Sequence, residues 1–332
     1  SGLIKKLYSD YAKFQIVAKK ADRIFFLKES FTIPENLWMS DLEFKSVKQI
    51  SDVNKEFSSS FNRGSVELRS FYNFEGVLLR GLLYKPENFD STKQYPLIVN
   101  FYEKNSHRLH DYIYPSYSVG ELNPAYFVSN GYLVFIPDIH FIKGSPGPSS
   151  YSCVISGINS LIKAGFVDTA NIGIQGHSFG GYQSAYIITK SKLFKAAVIS
   201  AGVVNLTSGY NALRENNSMM RSSYYENGQG RMTKNLWEDW QGYVENSPMK
   251  DMDKVSASVL MLYNKNDGAV PWSEGLAFFL ALKRLGKPGW MLNYNNEGHV
   301  LQNMKNRKDF SQRLIDFFDY YLKGVKQPEW LK

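Results

Sequence analysis

The sequence feature that most constrains this chain is the motif Gly-His-Ser-Phe-Gly-Gly at residues 176–181. An apolar run, Ile172 to Gln175, directly precedes the motif, and a helical pattern from Tyr182 to Thr189 follows it. A strand that turns this sharply into a helix leaves the serine with a strained backbone, and it needs small residues two positions before and after, where side chains would collide. The motif has glycine at both positions. It therefore predicts a nucleophile elbow at Ser178, with a glycine-rich turn and an incidental serine as the simpler alternative.

The expected partners of Ser178 are a histidine and a carboxylate, because a serine hydroxyl is a weak nucleophile that needs an oriented general base. Hydrolases built on this turn have the chain order serine, acid, histidine. Among the five histidines only His299 follows the serine, in the loop after the last apolar strand. The other four, including His177, are expected in loops or on the polar surface, with His177 projecting away from the site. The apolar run Val259 to Tyr263 leads into Asp267, which is the predicted acid.

Three further carboxylates are weaker candidates for the acid. Asp251 and Asp253 precede the apolar run instead of following its carboxyl end, and Glu297 is a close sequence neighbour of the histidine. We expect these three to be surface charges or charges that support the site from outside it.

The chemistry also requires two hydrogen-bond donors for a carbonyl oxygen that becomes negative. One is the backbone N–H of the residue after the nucleophile, here Phe179. The second is expected from the loop after an early strand, where many esterases use glycine-rich backbone but this chain has Val99-Asn100-Phe101-Tyr102. The hydroxyl of Tyr102 is the predicted second donor.

From Val66 onward, a hairpin-like stretch is followed by short apolar runs that alternate with longer helical patterns. The apolar runs cover residues 96–101, 132–137, 172–175, 196–200, 259–263 and 290–294, and the helical patterns cover residues 124–129, 149–164, 180–189, 273–285 and 308–322. Near-continuous apolar strands that alternate with helices predict a mostly parallel, doubly wound sheet with helices on both faces. With the elbow, this predicts an α/β-hydrolase fold over residues 65–332.

The N-terminal residues 1–64 have a different pattern. Aromatic and β-branched runs at residues 14–19, 23–28 and 37–44 are separated by turn-forming residues, which predicts consecutive antiparallel strands. A lone sheet of this size exposes both faces and two edges, so we expect it to pack either against the rest of this chain or against a domain outside it. Ser58-Ser59-Ser60 and Asn62-Arg63-Gly64 are predicted to form a linker.

Composition excludes several classes of function. The apolar content is 43%, but no stretch approaches the ~18 apolar residues of a membrane span. The net charge of +8 comes from scattered lysines and arginines, which favours a solvated surface over a nucleic-acid site. Cys153 is the only cysteine, so neither an intrachain disulfide nor a cysteine-based metal site is expected. The proposed chemistry needs no metal or organic cofactor.

Four segments, in this order, resemble the catalytic domain of the prolyl oligopeptidase family, which includes dipeptidyl-peptidases and acylaminoacyl-peptidases. They are Pro96 to Tyr102, the elbow, Asn266 to Pro271 and Glu297-Gly298-His299. The resemblance covers nearly the whole chain from about Val66. It implies that Ser178, Asp267 and His299 form the triad and that the tyrosine closing the early strand, Tyr102, donates to the oxyanion.

The resemblance also implies features outside the triad. Family members carry an N-terminal β-propeller that limits access to the site, and residues 1–64 resemble the remnant of its last blade. Because the sequence starts at Ser1-Gly2 and lacks a secretion signal, we expect a piece cut from a longer chain with an upstream propeller. A peptide substrate, export to the periplasm or the outside, and a homo-oligomer are the corresponding expectations for partner, compartment and assembly.

Two departures from the family concern substrate binding. Members often have Asn or Arg two residues after the acid, where it binds a substrate carbonyl, but this chain has Ala269. The paired glutamates with which dipeptide-releasing members hold the substrate's amino terminus have no identifiable counterpart here. In relatives the insertion Val203 to Tyr243 lines the pocket for the residue before the scissile bond. Tyr210 is the predicted pocket residue, in a pocket suited to proline or a compact apolar side chain.

These observations lead to a serine peptidase that works through an acyl-enzyme. A carboxylesterase is the alternative enzyme, because esters are easier to cleave and the same triad would serve; Tyr102 in place of a glycine-rich loop favours the peptidase. A binding or scaffold protein with a relic site is the third hypothesis. Against it stands the full set of triad residue types in the right order.

Overall fold

The computed structural model describes residues 4–53, 63–215 and 217–332, and most of their strands belong to two separate sheets. The strands are β1 (Lys13–Lys20), β2 (Arg23–Glu29), β3 (Asn36–Asp41), β4 (Lys48–Gln49), β5 (Ser65–Tyr72), β6 (Leu78–Lys85), β7 (Tyr95–Asn100), β8 (Leu133–Pro137), β9 (Val167–His177), β10 (Ala196–Ser200), β11 (Leu213–Arg214), β12 (Met219–Met220), β13 (Ser258–Leu262) and β14 (Gly289–Leu292). The helices are α1 (Pro124–Ser129), α2 (Pro146–Lys163), α3 (Phe179–Lys190), α4 (Leu206–Tyr210), α5 (Arg221–Glu226), α6 (Trp240–Glu245), α7 (Trp272–Arg284) and α8 (Met304–Lys323). Short 3₁₀ turns lie at Ser106–Arg108, Pro248–Lys254 and Glu329–Leu331.

The larger sheet has eight strands in the order β5-β6-β8-β7-β9-β10-β13-β14. The pairings among β5, β6 and β8 are antiparallel, and every pairing from β8 through β14 is parallel. This confirms the predicted mostly parallel sheet of an α/β-hydrolase fold. Since parallel strands need crossover connections, helices occupy the segments between them.

Helices cover both faces of this sheet, which explains why its strands are apolar without alternation. Val99 of β7 packs in the core on the side of α2, α3 and α7, whereas its neighbour Ile98 packs in the core on the side of α1 and α8. Every residue of β8, β10 and β13 is buried. Strands that are buried on both faces have continuous hydrophobic runs in their sequences.

The helix boundaries differ from the predicted ones where capping residues extend a helix beyond its apolar pattern. Helix α8 begins at Met304 instead of residue 308, because the side chain of Asn303 accepts a hydrogen bond from Lys305 N at 2.9 Å. Helix α2 begins at Pro146, since proline is favoured in the first helical turn. Strand β9 is longer than its predicted core of residues 172–175.

The smaller sheet is antiparallel, with the order β1-β2-β3-β4. The three predicted strands are present, but the third ends at Asp41 and not at residue 44, because the Asp41 carboxylate accepts from Glu43 N and Lys45 N and closes a turn. Of the predicted linker, residues 58–60 and 62 lie outside the described residues. Arg63 is buried and not part of an open linker: its guanidinium donates to Phe31 O at 3.2 Å and to Ile113 O at 3.1 Å.

The parallel sheet brings distant parts of the sequence to one edge. The carboxyl ends of β7, β9, β13 and β14 lie at this edge, followed respectively by Tyr102, Ser178, Asp267 and His299. Ligand sites of open α/β sheets lie outside the carboxyl ends of their strands. No helix within the described ranges is long and apolar enough to cross a membrane.

Candidate active site

The turn at Ser178 holds the serine in a conformation that L-residues rarely adopt. Its φ is 57° and its ψ is −119°, and its backbone N–H donates to Ser200 O at 2.8 Å. A side chain at Gly176 would place its Cβ 2.1 Å from Gly180 O, and one at Gly180 would place its Cβ 2.5 Å from Phe101 O. Both contacts are with backbone, so glycine is needed at these two positions, as the motif predicts.

Ser178, His299 and Asp267 form a continuous hydrogen-bonded chain. The distance from His299 Nε2 to Ser178 Oγ is 2.9 Å, and the distance from His299 Nδ1 to Asp267 Oδ2 is 2.8 Å. The other carboxylate oxygen of Asp267 accepts from Ala269 N at 2.8 Å and from Val270 N at 2.9 Å. Because the Asp267 carboxylate accepts from Nδ1–H, Nε2 is the nitrogen able to accept the serine proton.

Asp267 and His299 differ in burial in a way that fits their roles in the hydrogen-bonded chain. The side chain of Asp267 is only 2% exposed, whereas the imidazole of His299 is 25% exposed. Hydrogen bonds between a buried carboxylate and a histidine are strengthened by the low local dielectric. The structure thus brings together the three residues that the sequence predicts.

The other carboxylates have different partners. Glu297 is buried and accepts from Gln302 N at 2.7 Å, Asn303 N at 2.9 Å and Asn306 Nδ2 at 2.7 Å. Burial alone would raise the pKa of Glu297, but these three donors outweigh it and hold the pKa below its usual value. Glu297 therefore fixes the connection between the His299 loop and helix α8. Asp251 forms ion pairs with Lys190 and Lys254.

His177 lies inside the site and not on the polar surface where the sequence analysis placed it. It is 6% exposed, and its ring centroid is 4.8 Å from that of His299. On its other side the ring packs closely against Gly120, where an added Cβ would lie only 2.7 Å from His177 Nδ1. Neither ring nitrogen of His177 has a hydrogen-bond partner among the described residues. Burial, and next electrostatic repulsion from the neighbouring His299 imidazole, lowers the pKa of His177 to about 3.

The position of His177 matches that of Gln175, which the same loop covers. Gln175, two residues earlier on β9, bonds to Gly120 O at 2.9 Å and to Leu122 N at 3.2 Å. Side chains two residues apart on a strand share a face, so His177 follows Gln175 under the same loop.

Tyr102 is fixed beside the elbow by a polar cluster. Its backbone carbonyl accepts from Gln183 Nε2 at 2.7 Å, and its hydroxyl donates to Gln229 Oε1 at 3.4 Å. Gln229 Nε2 donates to Glu103 Oε1 at 2.9 Å, and Arg231 forms an ion pair with Glu103 at 2.9 Å. Sequence reasoning did not identify this cluster, because Tyr102 and Glu103 lie about 127 residues before Gln229 and Arg231 and the four carry no motif.

Phe179 is the first residue of α3, where backbone N–H groups have no acceptor within the helix. The ring of Phe179 packs edge-on against Tyr102 with a centroid distance of 6.3 Å. The two predicted oxyanion donors therefore belong to neighbouring residues at the same edge of the sheet.

A pocket opens directly beside Ser178. Its walls include Phe179, Tyr182, Val203, Arg221, Tyr224 and Tyr225. Tyr210, the predicted pocket residue, does not contribute to this wall: its ring packs against Tyr225 and Tyr243, and its hydroxyl bonds to Glu226. The pocket tyrosines of the insertion are Tyr224 and Tyr225.

Within residues 4–53, 63–215 and 217–332, no cluster of three or more His, Cys, Asp or Glu side chains has the arrangement of a metal site.

Burial raises the pKa of the buried Cys153 thiol, although hydrogen bonds from His140 and Asn73 act in the opposite direction. That direction is opposite to the one expected for a reactive cysteine.

The strand order and the strand–turn–helix at Ser178 define an α/β hydrolase. The model of the prolyl oligopeptidase family, Peptidase_S9, matches residues 117–325. The chain belongs to that family, which confirms the resemblance found in its motifs.

Known proteins similar to this chain agree with that family. The peptidase YuxL of Bacillus subtilis (strain 168), described as uncharacterized, is 24% identical over 288 residues, which are 83% of this chain and 42% of the relative. Dipeptidyl-peptidase 5 of Porphyromonas endodontalis is 23% identical over 329 residues, which are 95% of this chain and 45% of the relative. The chain thus spans less than half the length of these curated relatives.

A solved acylaminoacyl peptidase in complex with Z-Gly-Gly-Phe-chloromethyl ketone matches the fold with a TM-score of 0.74 and 19% sequence identity. The match covers 98% of this chain and 52% of that protein. It includes the smaller sheet as well as the α/β-hydrolase sheet.

The position of His177 predicts a specific pH dependence of stability. Folding lowers its pKa to about 3 from about 6.5, so its contribution to stability is complete above pH 6.5 and is lost as the pH falls toward 3. The variant His177→Phe has no proton to gain there and breaks no hydrogen bond. Between pH 7 and pH 5, the free energy of unfolding of the wild type should fall relative to that of His177→Phe by about 2 kcal/mol. Urea unfolding of both proteins at several pH values measures this difference, and parallel pH curves would contradict a buried, neutral His177.

Proposed function

We propose that this chain hydrolyses peptide bonds through an acyl-enzyme, with Ser178 as the nucleophile. The observation that carries the proposal is the hydrogen-bonded chain from Ser178 Oγ through His299 to the buried carboxylate of Asp267. The Ser–His–Asp arrangement is recognised by the geometry and roles of its members. Family membership supports the same chemistry.

Each group has a definite task in this mechanism. Ser178 Oγ attacks the substrate carbonyl while His299 Nε2 takes its proton, and Asp267 stabilises the imidazolium that forms. The imidazolium then returns the proton to the leaving amine. Water, activated by the same imidazole, hydrolyses the ester on Ser178 and regenerates the enzyme. The negative oxygen of each tetrahedral intermediate would accept from Phe179 N–H and from the Tyr102 hydroxyl.

A peptide as the substrate is supported by the names of similar proteins. The curated relatives include dipeptidyl-peptidase 5 and an acylamino-acid-releasing enzyme. The similar acylaminoacyl peptidase was solved with a peptide-like chloromethyl ketone. These facts concern the relatives, and for this chain they favour a peptide over a simple ester.

The triad can be tested with three variants. Ser178→Ala should abolish fluorophosphonate labelling and peptide turnover, because the nucleophilic hydroxyl is lost while the elbow keeps a small side chain. His299→Ala should lower kcat comparably, and Asp267→Asn should lower it by roughly 10⁴-fold, since the imidazole would be held in the wrong tautomer. Turnover of a short fluorogenic peptide and gel-based labelling measure these effects.

Glu297→Gln is the matched carboxylate control. Glu297 binds backbone and Asn306 donors instead of His299, so its loss should affect thermal stability more than kcat. A greater loss of turnover in Glu297→Gln than in Asp267→Asn would show that Asp267 is not the acid of the triad. Labelling that persists in Ser178→Ala would refute the nucleophile.

Tyr102→Phe tests the second oxyanion donor and separates the peptidase mechanism from the esterase alternative. The hydroxyl contributes most when negative charge develops, so its removal should lower kcat by about 10² to 10³ and leave KM almost unchanged. Steady-state kinetics on a peptide, with circular dichroism to verify folding, provide the measurement. If kcat stays at the wild-type value, Tyr102 only completes the packing at the end of β7, and the esterase hypothesis returns to equal standing.

We also propose that residues 1–64 form the last blade of a β-propeller and residues 65–332 the catalytic domain. The support is that β1–β4 form their own sheet and that β1, at its edge, is exposed along its whole length. Phe14, Ile16 and Val17 of β1 are exposed apolar residues. An open edge of this kind is a template for pairing with another strand.

Hydrogen exchange tests the blade. In this chain, amides on the free edge of β1 should exchange rapidly, whereas those of β2, paired on both sides, should be protected. In a longer chain that includes the upstream region of the same gene, β1 should become protected and β2 should not change. Equal exchange of β1 in both proteins would exclude an upstream strand as its neighbour.

A further inference from the structure

Arg221 is a buried cation that the proposed mechanism does not use. It lies at the start of helix α5, is 2% exposed, and forms part of the wall of the pocket that contains Ser178. Among the described residues that line this pocket, it is the only one with a charged side chain.

The guanidinium of Arg221 has no carboxylate partner among the described residues. One terminal nitrogen donates to Ala269 O, the other is 3.5 Å from the Tyr225 hydroxyl, and Nε has no hydrogen-bond partner. The buried carboxylate of Glu274 is committed elsewhere, since it accepts from Val204 N, Asn205 N and Ser208 Oγ, each at 2.9 Å. Buried charges in proteins are normally paired, because an unpaired one loses its hydration without compensation.

The rest of the pocket is mostly apolar and aromatic. The centre of the guanidinium is 5.9 Å from the centroid of the Tyr224 ring and 5.7 Å from that of Tyr225, so both aromatic rings help to hold it. Phe179, Val203 and other apolar groups form further walls. This combination provides contact for methylene groups and one fixed positive charge.

The guanidinium is also fixed relative to the triad. Ala269, whose carbonyl it binds, is two residues after Asp267, and Ala269 N donates to the Asp267 carboxylate at 2.8 Å. Arg221 is thus attached to the loop that carries the acid. A side chain that enters the pocket while its carbonyl lies at Ser178 would therefore meet a charge held at a set position.

We propose that Arg221 makes this pocket selective for an acidic side chain, aspartate or glutamate, on the residue whose carbonyl Ser178 attacks. The inference rests on the proposed peptidase function and specifies its substrate class. The methylenes of the acidic residue would contact the aromatic walls, and its carboxylate would supply the ion pair that Arg221 lacks. Proline or another apolar residue, which the sequence analysis favoured, would leave the guanidinium buried and unpaired.

Matched peptides test this selectivity. Internally quenched peptides that differ at one position compare Glu with Gln, and Asp with Asn, with Ala and Pro as further members of the series. The wild type should cleave the Glu and Asp peptides with a kcat/KM on the order of 10²-fold higher than their amide counterparts, because a desolvated charge pair is lost with the amide.

Variants of Arg221 should change this ratio selectively. Arg221→Met should lower kcat/KM for the Glu and Asp peptides much more than for the Ala peptide, so that the Glu-to-Gln ratio falls by a factor on the order of 10², while Arg221→Lys should retain part of the preference. Arg214→Met is the control: its guanidinium is 5.7 Å from the Tyr224 ring but does not line the pocket. It should not alter the Glu-to-Gln ratio.

Three results would overturn the proposal. The first is a wild-type preference for Pro or Ala over Glu and Asp. The second is an equal loss on all peptides in Arg221→Met with its thermal unfolding unchanged, which would assign Arg221 to the substrate backbone. The third is a change of the ratio in Arg214→Met as large as in Arg221→Met.

Binding measurements separate this inference from the proposed function. Calorimetry with Ser178→Ala should give tighter binding of the Glu peptide than of the Gln peptide, and Arg221→Met in the same background should remove the difference. If the wild type cleaves no peptide but this difference is found, the peptidase proposal fails and the acidic selectivity of the pocket stands. If peptides are cleaved but the difference is absent, only the selectivity fails.

Discussion

The close approach of backbone segments around Ser178 is the constraint on which the rest of the site depends. Gly180 allows helix α3 to begin against Phe101, and Gly181 packs on Ser200 O, where an added Cβ would lie at 2.5 Å. These contacts bring the ends of β7, β9 and β10 to one point. Ser178 consequently has a positive φ that only the surrounding packing can maintain. The strain at one residue is thus the cost of placing a nucleophile between an imidazole and a helix N-terminus.

Around Ser178, one buried carboxylate contacts His299, a neutral histidine packs on the His299 ring, and a buried cation lies at the pocket wall. The carboxylate of Asp267 is buried and held by two backbone donors as well as by His299. His177 packs on the other side of the His299 ring and stays neutral because burial lowers its pKa. A second cation next to His299 would oppose formation of the imidazolium, so a neutral neighbour is compatible with proton transfer. Arg221 supplies positive charge only at the pocket wall, where it can bind a substrate.

The fold and the triad followed from the sequence because both depend on order along the chain. Strands buried on both faces gave uninterrupted apolar runs, and the chain order of Ser178, Asp267 and His299 left one histidine to choose. Helix ends such as that at Asn303 were missed because a side-chain cap extends a helix without any apolar periodicity. What the sequence revealed least was packing between distant segments.

Three residues illustrate that limit. His177 was placed on the surface because its cover, Gly120, is far away in the sequence. Tyr210 was assigned to the pocket, but the insertion folds so that Tyr224 and Tyr225 reach it and Tyr210 packs behind them. Arg221 carried no motif, and its importance became visible only through its burial and its missing partner. Each depends on tertiary contacts that local patterns do not encode.

The most direct test of the central claim is to trap the covalent intermediate on the wild-type chain. Acid quenching during turnover of an activated peptide ester, followed by proteolysis and mass spectrometry, locates the acyl group. The account predicts one acyl group per chain, on Ser178. Peptide cleavage in which the acyl group is found on another residue, or in which no acylated chain accumulates even when Asp267→Asn slows turnover, would contradict it.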